Sequence, residues 1–425
     1  MEVGLLSTSF KISGMKNMIF LYVVFISLIS LSCDKEQESI SSDSCLHPCS
    51  SDSLLGKLDT IWSVKLSEDG SNPGAQESII YYDNRIYASY SNVPEGMISC
   101  YNTSDKGSIV WHYQNGQKDF INTFILPELN MVINKSWEIR LTLDMITGKE
   151  QSIIHSVERS GPRGIVLGTH LHYDEREDND RTVHLRRSLV SNLSQVETLY
   201  TIDNNDIDNS KKSIESMNLW MDPSTGDSIL IFQHRMLDRV DVVAWNMDKK
   251  EVVWRHDDIT PNGNSNHQQI LIQNDKAYFG GSVSFFCFDM RDGEIVWRFD
   301  DNSGHTPFMG LRSVVAKSIN ALVVTGSRDI FAFDIESGMI KWRRPFEGSI
   351  SSGSPVYHDG IIYITGRGLL YAYRASDGEL LWAESSSGIP LGPKTFQGEL
   401  AIDRERGILY ATSSDRLFAI RVYED

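Results

Sequence analysis

The most constraining feature of this chain is a repeated segment in which a small residue is followed, ten positions later, by tryptophan. In the clearest copy, Ala332-Phe333-Asp334 leads through Ser337-Gly338 to Trp342. Copies with the same spacing end at Trp254, Trp297 and Trp382. Units of this kind cannot bury their apolar faces alone and have to stack on one another. The chain is therefore expected to form a repeat architecture.

Each copy has the composition of a β-hairpin. Residues 330–334 are mostly apolar and aromatic, as in a half-buried strand. Ser-Gly or Asp-Gly then supplies the positive φ angle that a tight turn needs. The strand after the turn places its Trp on one face, where the large ring can wedge between adjacent sheets.

Two further strands precede each hairpin, for example residues 356–358 and 361–365 on either side of an Asp-Gly turn. Four strands per unit, at a period between roughly 40 and 50 residues, is the pattern of a propeller blade. No stretch shows the apolar spacing of the helical crossovers that a parallel sheet requires. The sequence therefore predicts an all-β fold, a β-propeller of four-stranded antiparallel blades.

The repeat predicts eight blades, with seven as the alternative because the third body is identified from spacing more than from motif. The first copy ends at Trp111 and the second has Ser152 where Trp is expected. The last copy lacks its final strand, and residues 60–66, which contain Trp62, are expected to supply it and close the ring. The predicted bodies are 76–113, 120–157, 163–202, 213–257, 267–300, 311–344, 352–384, and 396–421 with 60–66.

The N-terminus predicts export. Residues 18–31 form an apolar run after a basic start at Met15, too short for a membrane span of roughly 20 residues. We therefore expect a signal peptide over residues 1–32, with Met15 as an alternative start. Cys33 resembles the lipidated residue of a bacterial lipobox, although Ser30 departs from the usual Leu. An ordinary cleaved signal or a membrane anchor is the alternative.

The residues after Cys33 predict a tether and a location. Residues 33–56 are expected to form the lipidated Cys and a flexible linker, and residues 57–425 the propeller. Acidic residues directly after Cys33 resemble the export signals of surface lipoproteins in the Bacteroidetes group. An outer-membrane lipoprotein that faces the periplasm or the cell surface follows as the expectation.

The other cysteines predict structural roles. In an oxidising compartment, Cys45 and Cys49 are expected to form a small disulfide loop. A metal site there would lack a second ligand pair. Cys100 and Cys287 lie within apolar strand patterns and are expected to be buried thiols.

Taken together, the Ala-aromatic-Asp, Ser/Asp-Gly and Trp positions resemble the pyrroloquinoline-quinone (PQQ)-like propeller repeat. The resemblance runs from about Thr60 to Tyr423 and is clearest from residue 241 onward. That repeat occurs in quinoprotein dehydrogenases, which hold PQQ and calcium in the propeller channel. It also occurs in a non-enzymatic lipoprotein branch that includes the outer-membrane barrel-assembly-machinery accessory lipoprotein. The length, the single domain and the candidate lipobox are similar to the second group.

The sequence offers little chemistry for a cofactor. It has no adjacent Cys-Cys pair, which quinoproteins of this kind would carry, and no haem-attachment motif. Residues 203–209 lack the glycine and the glutamate of a calcium loop. A metal site at His170, His172 and His184 is possible across strands, but scattered strand histidines are usually structural or exposed. A net charge of −17 argues against nucleic-acid binding. We predict no cofactor and no enzymatic activity.

The predicted function is a lipid-anchored, monomeric envelope scaffold for other proteins, which the resemblance extends to outer-membrane protein assembly. Strand edges at the rim are expected to be able to accept an extended peptide. The alternatives are a divergent PQQ- and calcium-dependent oxidoreductase and a surface carbohydrate-binding lipoprotein, the latter suggested by Tyr81, Tyr82 and Phe308. Candidate channel-mouth residues, with ordinary loop residues as the alternative, are His267, Arg312, Ser354 and Lys394.

Overall fold

The computed structural model describes most of the chain between residues 58 and 422. The described ranges are 58–66, 75–91, 96–114, 116, 120, 122–136, 139–155, 164–176, 182–203, 213–235, 239–259, 269–281, 283–301, 313–326, 328–345, 354–366, 368–385 and 396–422. Within these ranges the secondary structure consists of β-strands and three short 3-10 turns, at Thr103–Asp105, Pro127–Leu129 and Lys317–Ile319. The same ranges contain no helix long and apolar enough to cross a membrane.

The strands form eight four-stranded sheets. Blade one consists of β2 (Ala75–Tyr82), β3 (Arg85–Ser91), β4 (Met97–Asn102) and β5 (Ser108–Tyr113). Blade two consists of β6 (Asn122–Leu126), β7 (Met131–Lys135), β8 (Ile139–Asp144) and β9 (Glu150–His155). Blade three consists of β10 (Gly164–Leu167), β11 (His170–Arg176), β12 (Thr182–Leu189) and β13 (Asn192–Asp203). Blade four consists of β14 (Ser213–Met221), β15 (Ser228–Arg235), β16 (Val240–Asn246) and β17 (Glu251–His256).

The second half of the chain repeats the same order. Blade five consists of β18 (Leu271–Gln273), β19 (Lys276–Gly280), β20 (Ser284–Asp289) and β21 (Ile295–Asp300). Blade six consists of β22 (Val314–Ala316), β23 (Ala321–Thr325), β24 (Asp329–Asp334) and β25 (Ile340–Pro345). Blade seven consists of β26 (Val356–His358), β27 (Ile361–Gly366), β28 (Leu369–Arg374) and β29 (Leu380–Ser385). Blade eight consists of β30 (Phe396–Asp403), β31 (Ile408–Ser413), β32 (Arg416–Arg421) and β1 (Thr60–Lys65).

The sheets are arranged as an eight-bladed β-propeller, so the prediction of eight blades is confirmed and the alternative of seven is wrong. The first strands of neighbouring blades approach one another, as β2 does β6 and β14 does β18, which places them on the inside. The fourth strands form the outer rim. β1 pairs with β32, with Trp62 opposite Ala419, so the N-terminal strand closes the ring as predicted.

The core is a set of apolar layers between consecutive blades. In one layer, Val323 and Ile330 of blade six pack with Ile362 and Ile364 of blade seven. All four side chains are fully buried. Each blade is therefore stabilised mainly by the next one, as the stacking of incomplete repeats requires.

The outer strand of every blade has the same irregularity. One extra residue lies directly before the position that Trp occupies, so the pairing register shifts there. In blade six, Trp342 pairs with Ala332 and Ile340 with Phe333, which leaves Lys341 as the extra residue. This β-bulge locally disrupts the ladder and changes the direction of the strand.

Candidate functional site: the outer rim

The tryptophans of the repeat lie between blades and rest on glycines of the next blade. Five joints are built this way, and a Cβ atom added to the glycine would lie 2.4–2.6 Å from the indole ring. Each glycine has a φ angle between +69° and +78°, a conformation that glycine adopts without steric cost. The five pairs are Trp62 with Gly107, Trp111 with Gly148, Trp254 with Gly293, Trp297 with Gly338, and Trp342 with Gly378.

Four of these indoles also donate a hydrogen bond across the joint. Trp297 Nε1 donates to the Ile335 carbonyl at 3.2 Å, and Trp342 Nε1 to the Ala375 carbonyl at 2.8 Å. Trp111 and Trp254 make the equivalent bonds at 3.2 and 2.9 Å. The acceptor lies three residues before the glycine in each case. The glycine and the carbonyl together hold the Trp of one blade against the turn of the next.

The joint between blades seven and eight has the tryptophan but not the turn. Because β1 comes from the other end of the chain, no hairpin joins β32 to its outer strand. Trp382 is nevertheless buried, and packs in a cluster with Leu58 and Val422. Its Nε1 finds no acceptor among the residues that the structure describes.

Apolar side chains are exposed beside these joints, on the outer strands of blades four, five and six or directly before them. Five of them are between 37% and 41% exposed, and Met339 is 71% exposed. Gly293 touches Trp254 and Gly338 touches Trp297, so each exposed pair is separated from the next by one Trp–Gly contact. We call this set the rim stripe; it consists of Val252, Val253, Ile295, Val296, Met339 and Ile340.

A shorter apolar arc lies on blades eight, one and two. It contains Ile61, Ile109, Val110 and Ile146, which are between 40% and 56% exposed. Trp62 on Gly107 and Trp111 on Gly148 separate its members in the same manner.

The bulges limit the ways in which a partner protein can bind the rim. Val253 and Val296 are themselves the extra residues of their strands, and so are Ile61 and Val110 of the shorter arc. A bulge in an edge strand obstructs the regular pairing of another strand. The rim is therefore disfavoured as an edge for β-strand addition, and it offers apolar side chains to a partner instead.

Two lysines next to the rim stripe are paired with carboxylates of their own blades. Lys249 Nζ lies 2.8 Å from Asp227 Oδ2, and Lys341 Nζ lies 3.1 Å from Asp334 Oδ2. Hydrogen bonding from the Ser337 backbone, followed by the Lys341 side chain, lowers the pKa of Asp334. These two carboxylates stay ionised at neutral pH, and each is matched by a nearby ammonium group.

Of the predicted channel-mouth residues, Ser354 is the one that lies in the described part of the chain. Ser354 is buried, and its Oγ donates to Glu399 Oε1 at 3.3 Å, which places it in contact with the first strand of blade eight. The other predicted residues lie outside the described part of the chain: His267, Arg312 and Lys394 at the channel, Cys33 at the lipid site, and Cys45 and Cys49 at the disulfide.

The three histidines of blade three do not converge. The rings of His170 and His172 lie 6.3 Å apart, whereas His184 Nδ1 lies 3.1 Å from Thr201 Oγ1. Burial lowers the pKa of His172 to about 4, so it is neutral at physiological pH. Among the described residues no three His, Cys, Asp or Glu side chains are grouped so that they could hold a metal ion. A calcium shell of the quinoprotein kind therefore has no candidate ligand group in the part of the chain that is described.

The remaining candidates from the sequence are three aromatic residues and two cysteines. Tyr81 stacks on Tyr410 at 5.4 Å, while Tyr82 is 40% exposed and Phe308 lies outside the described ranges. Cys100 and Cys287 are buried thiols, as predicted, and burial raises the pKa of Cys100 to about 11. Such thiols are poor nucleophiles because little thiolate forms at neutral pH.

Comparison with known proteins agrees with the repeat. Residues 218–421, blades four to eight, match a family described as "Outer membrane protein assembly factor BamB". No curated protein sequence matches the chain. Blades four to eight therefore carry a PQQ-like propeller repeat.

Solved propellers of different activity share this fold. BamB from Moraxella catarrhalis is 14% identical, with a TM-score of 0.58 over 87% of this chain and 99% of that chain. A quinohemoprotein alcohol dehydrogenase from Pseudomonas putida is 11% identical, with a TM-score of 0.62 over 86% of this chain and 76% of the other. The computationally designed Ika8 protein is 12% identical, with a TM-score of 0.60 over 86% of this chain and 100% of the designed chain. At these identities the likeness shows the fold alone.

Proposed function

We propose that this PQQ-like propeller is a non-catalytic scaffold of the cell envelope and that the rim stripe is its docking surface for other proteins. The observation that carries the proposal is the run of six exposed apolar side chains on three consecutive blades. Groups of exposed apolar side chains on a soluble protein can mark a protein-interaction site. Two of the lysines beside the stripe are already paired within their blades, which favours apolar contact as its means of recognition.

More specifically, we propose that the scaffold assists in outer-membrane protein assembly. Its support is the match of blades four to eight to a family described by that task, and the rim stripe lies on the same part of the chain. We further propose that Cys33 carries a lipid anchor, that a flexible tether follows it, and that the propeller is an outer-membrane lipoprotein. The signal-like N-terminal sequence supports these three proposals.

Site-specific photocrosslinking in intact cells tests the docking surface. A benzophenone side chain is placed at Val296 or Met339, and at Met221 as the control. Met221 is an apolar residue that is 54% exposed but lies on the first strand of blade four, away from the stripe. We expect both stripe positions to capture the same envelope protein, identified by mass spectrometry, and Met221 to capture none of it. Equal capture at Met221, or no adduct at the stripe, would overturn the proposal.

A further inference from the structure

Blade three is joined to both of its neighbours without a Trp–Gly contact. In the pairing register, Ser152 of blade two and Tyr200 of blade three occupy the positions that Trp occupies elsewhere. On the receiving side, the β12–β13 hairpin has no glycine, and in blade four Lys250 stands at the glycine position with a φ of +58°. Blade six, in contrast, is held by Trp–Gly contacts on both sides.

The joint between blades two and three combines an apolar cluster, which includes Ile133 and Leu171, with buried charged groups, and Ser152 takes the place of the indole. Lys135, Arg140 and Glu175 are at most 5% exposed. The Arg140 guanidinium donates to the Tyr173 hydroxyl and lies 4.5 Å from the centroid of that ring. Glu175 pairs with Arg186 on the neighbouring strand. Some of these groups pair across or within the blades, whereas Arg140 Nε has no hydrogen-bond partner among the described residues. Water can replace the polar contacts that are made.

The joint between blades three and four is aromatic but lacks the cross-joint hydrogen bond. The Tyr200 ring lies 4.9 Å from the Trp245 ring and 5.4 Å from Phe232. An indole held between a glycine and a carbonyl is replaced here by a smaller ring that packs on side chains. Tyr200 and Trp245 pack against an apolar cluster that spans the two blades. Without a bond to a carbonyl, the smaller ring specifies less geometry than the repeated joint does.

These differences change the free energy that is needed to separate the blades. Opening a Trp–Gly joint exposes a large indole to water and breaks a buried hydrogen bond, and nothing offsets the exposed apolar area. Opening the joint between blades two and three rehydrates buried charges, which offsets much of the lost contact because their burial is costly. Burial lowers the pKa of Lys135 to about 8, in line with that cost.

We propose that blade three is the compliant segment of the ring: it separates from its neighbours locally while the Trp-docked blades stay folded. Opening of this kind gives a closed propeller one place where it can change shape, between the shorter apolar arc and the rim stripe. Low-stability units of a native protein are usually such contiguous elements. The proposal concerns the ring itself and does not depend on what the rim binds.

Native-state hydrogen exchange on the whole protein tests the proposal without any variant. We expect the slowest amides of β11 and β12 in blade three to exchange at least ten times faster than those of β23 and β24 in blade six. The two pairs are matched, because both are the central strands of their blades. Equal protection in the two blades would overturn the proposal.

A pair of reciprocal variants tests the cause. Tyr200→Trp with Lys250→Gly installs the repeated joint, since Met247 lies three residues before Lys250 as the acceptors do elsewhere. We expect this variant to slow exchange in blade three at least tenfold. Trp297→Tyr with Gly338→Lys makes the opposite change at blade six and should speed exchange there by a similar factor. If neither variant changes its blade relative to the other blades, the missing Trp–Gly contact is not the cause and the proposal fails.

Discussion

Adding a single methyl group at Gly338 tests whether the Trp–Gly contact stabilises the ring. A Cβ atom at this position would lie 2.4 Å from Cδ2 of Trp297 and 2.7 Å from its Cγ. Both atoms belong to the rigid part of the indole close to the backbone, so rotation of a flexible chain end cannot relieve the overlap. Gly338→Ala must therefore displace either the turn or the ring.

The expected cost has two parts. A residue with a side chain at the φ of +69° costs about 1 kcal/mol, and overpacking against the ring costs about 1–3 kcal/mol more. Gly360→Ala is the matched control, because Gly360 has a φ of +84° but no atom within 4 Å of the added Cβ. We expect a loss of about 3 kcal/mol for Gly338→Ala and about 1 kcal/mol for Gly360→Ala.

Urea unfolding, followed by circular dichroism, measures both losses. In a Trp297→Ala background the overlap is absent, and Gly338→Ala should then cost no more than the control. Equal losses for Gly338→Ala and Gly360→Ala in the wild-type background would refute the packing argument. A large loss at Gly338 that persists without Trp297 would refute it as well.

Three further predictions follow from other joints and from the site. Trp342→Phe removes the hydrogen bond to the Ala375 carbonyl, whereas Trp382→Phe removes an indole that has no acceptor in the described residues. In urea unfolding, Trp342→Phe should therefore lower the free energy of unfolding by about 1 kcal/mol more than Trp382→Phe. Equal losses would contradict this. The pKa of Lys135 falls from 10.5 to about 8 in the fold, so unfolding takes up a proton between these values and stability should rise with pH across this window. Lys135→Met should abolish that rise and stabilise the protein at pH 7 by up to about 3 kcal/mol, and an unchanged pH profile in the variant would exclude Lys135 as its source. Calorimetric titration with PQQ and calcium should give no binding heat, and saturable binding of both would favour the oxidoreductase alternative.

The fold could be predicted because each copy of the repeat contains the sequence signals of one hairpin. The fixed spacing from the small residue to Trp342, with glycine between them, defines one hairpin, and counting its copies defines the blades. The closing strand was predictable from Trp62 because a sheet edge without a partner is unfavourable. These signals are local in the sequence, so one copy of the repeat suffices to interpret the others.

The site was harder to predict because it depends on departures from the repeat. The residue before Trp looks like any apolar strand residue, and only the bulge shows that Val253 and Val296 face solvent. Tyr200 does not stand out in the sequence as the Trp equivalent because its hairpin has no glycine and three extra residues shift the pairing. Ser354 is predicted near the channel mouth, and its bond to Glu399 of the adjacent blade is not visible in the sequence. Contacts between blades join residues far apart in the chain, and spacing within one blade does not report them.

The most direct test of the scaffold is the binding of the crosslinked envelope protein to a propeller with an altered rim stripe. Val296→Asp with Met339→Asp places two charges in the apolar contact, and Met221→Asp is the control at an exposed apolar residue away from it. An unpaired carboxylate placed in an apolar contact costs more than about 1 kcal/mol, so the double variant should reduce affinity at least tenfold while its urea midpoint stays unchanged. Unchanged affinity in the folded double variant, or an equal loss with Met221→Asp, would contradict the assignment of the rim stripe as the docking surface.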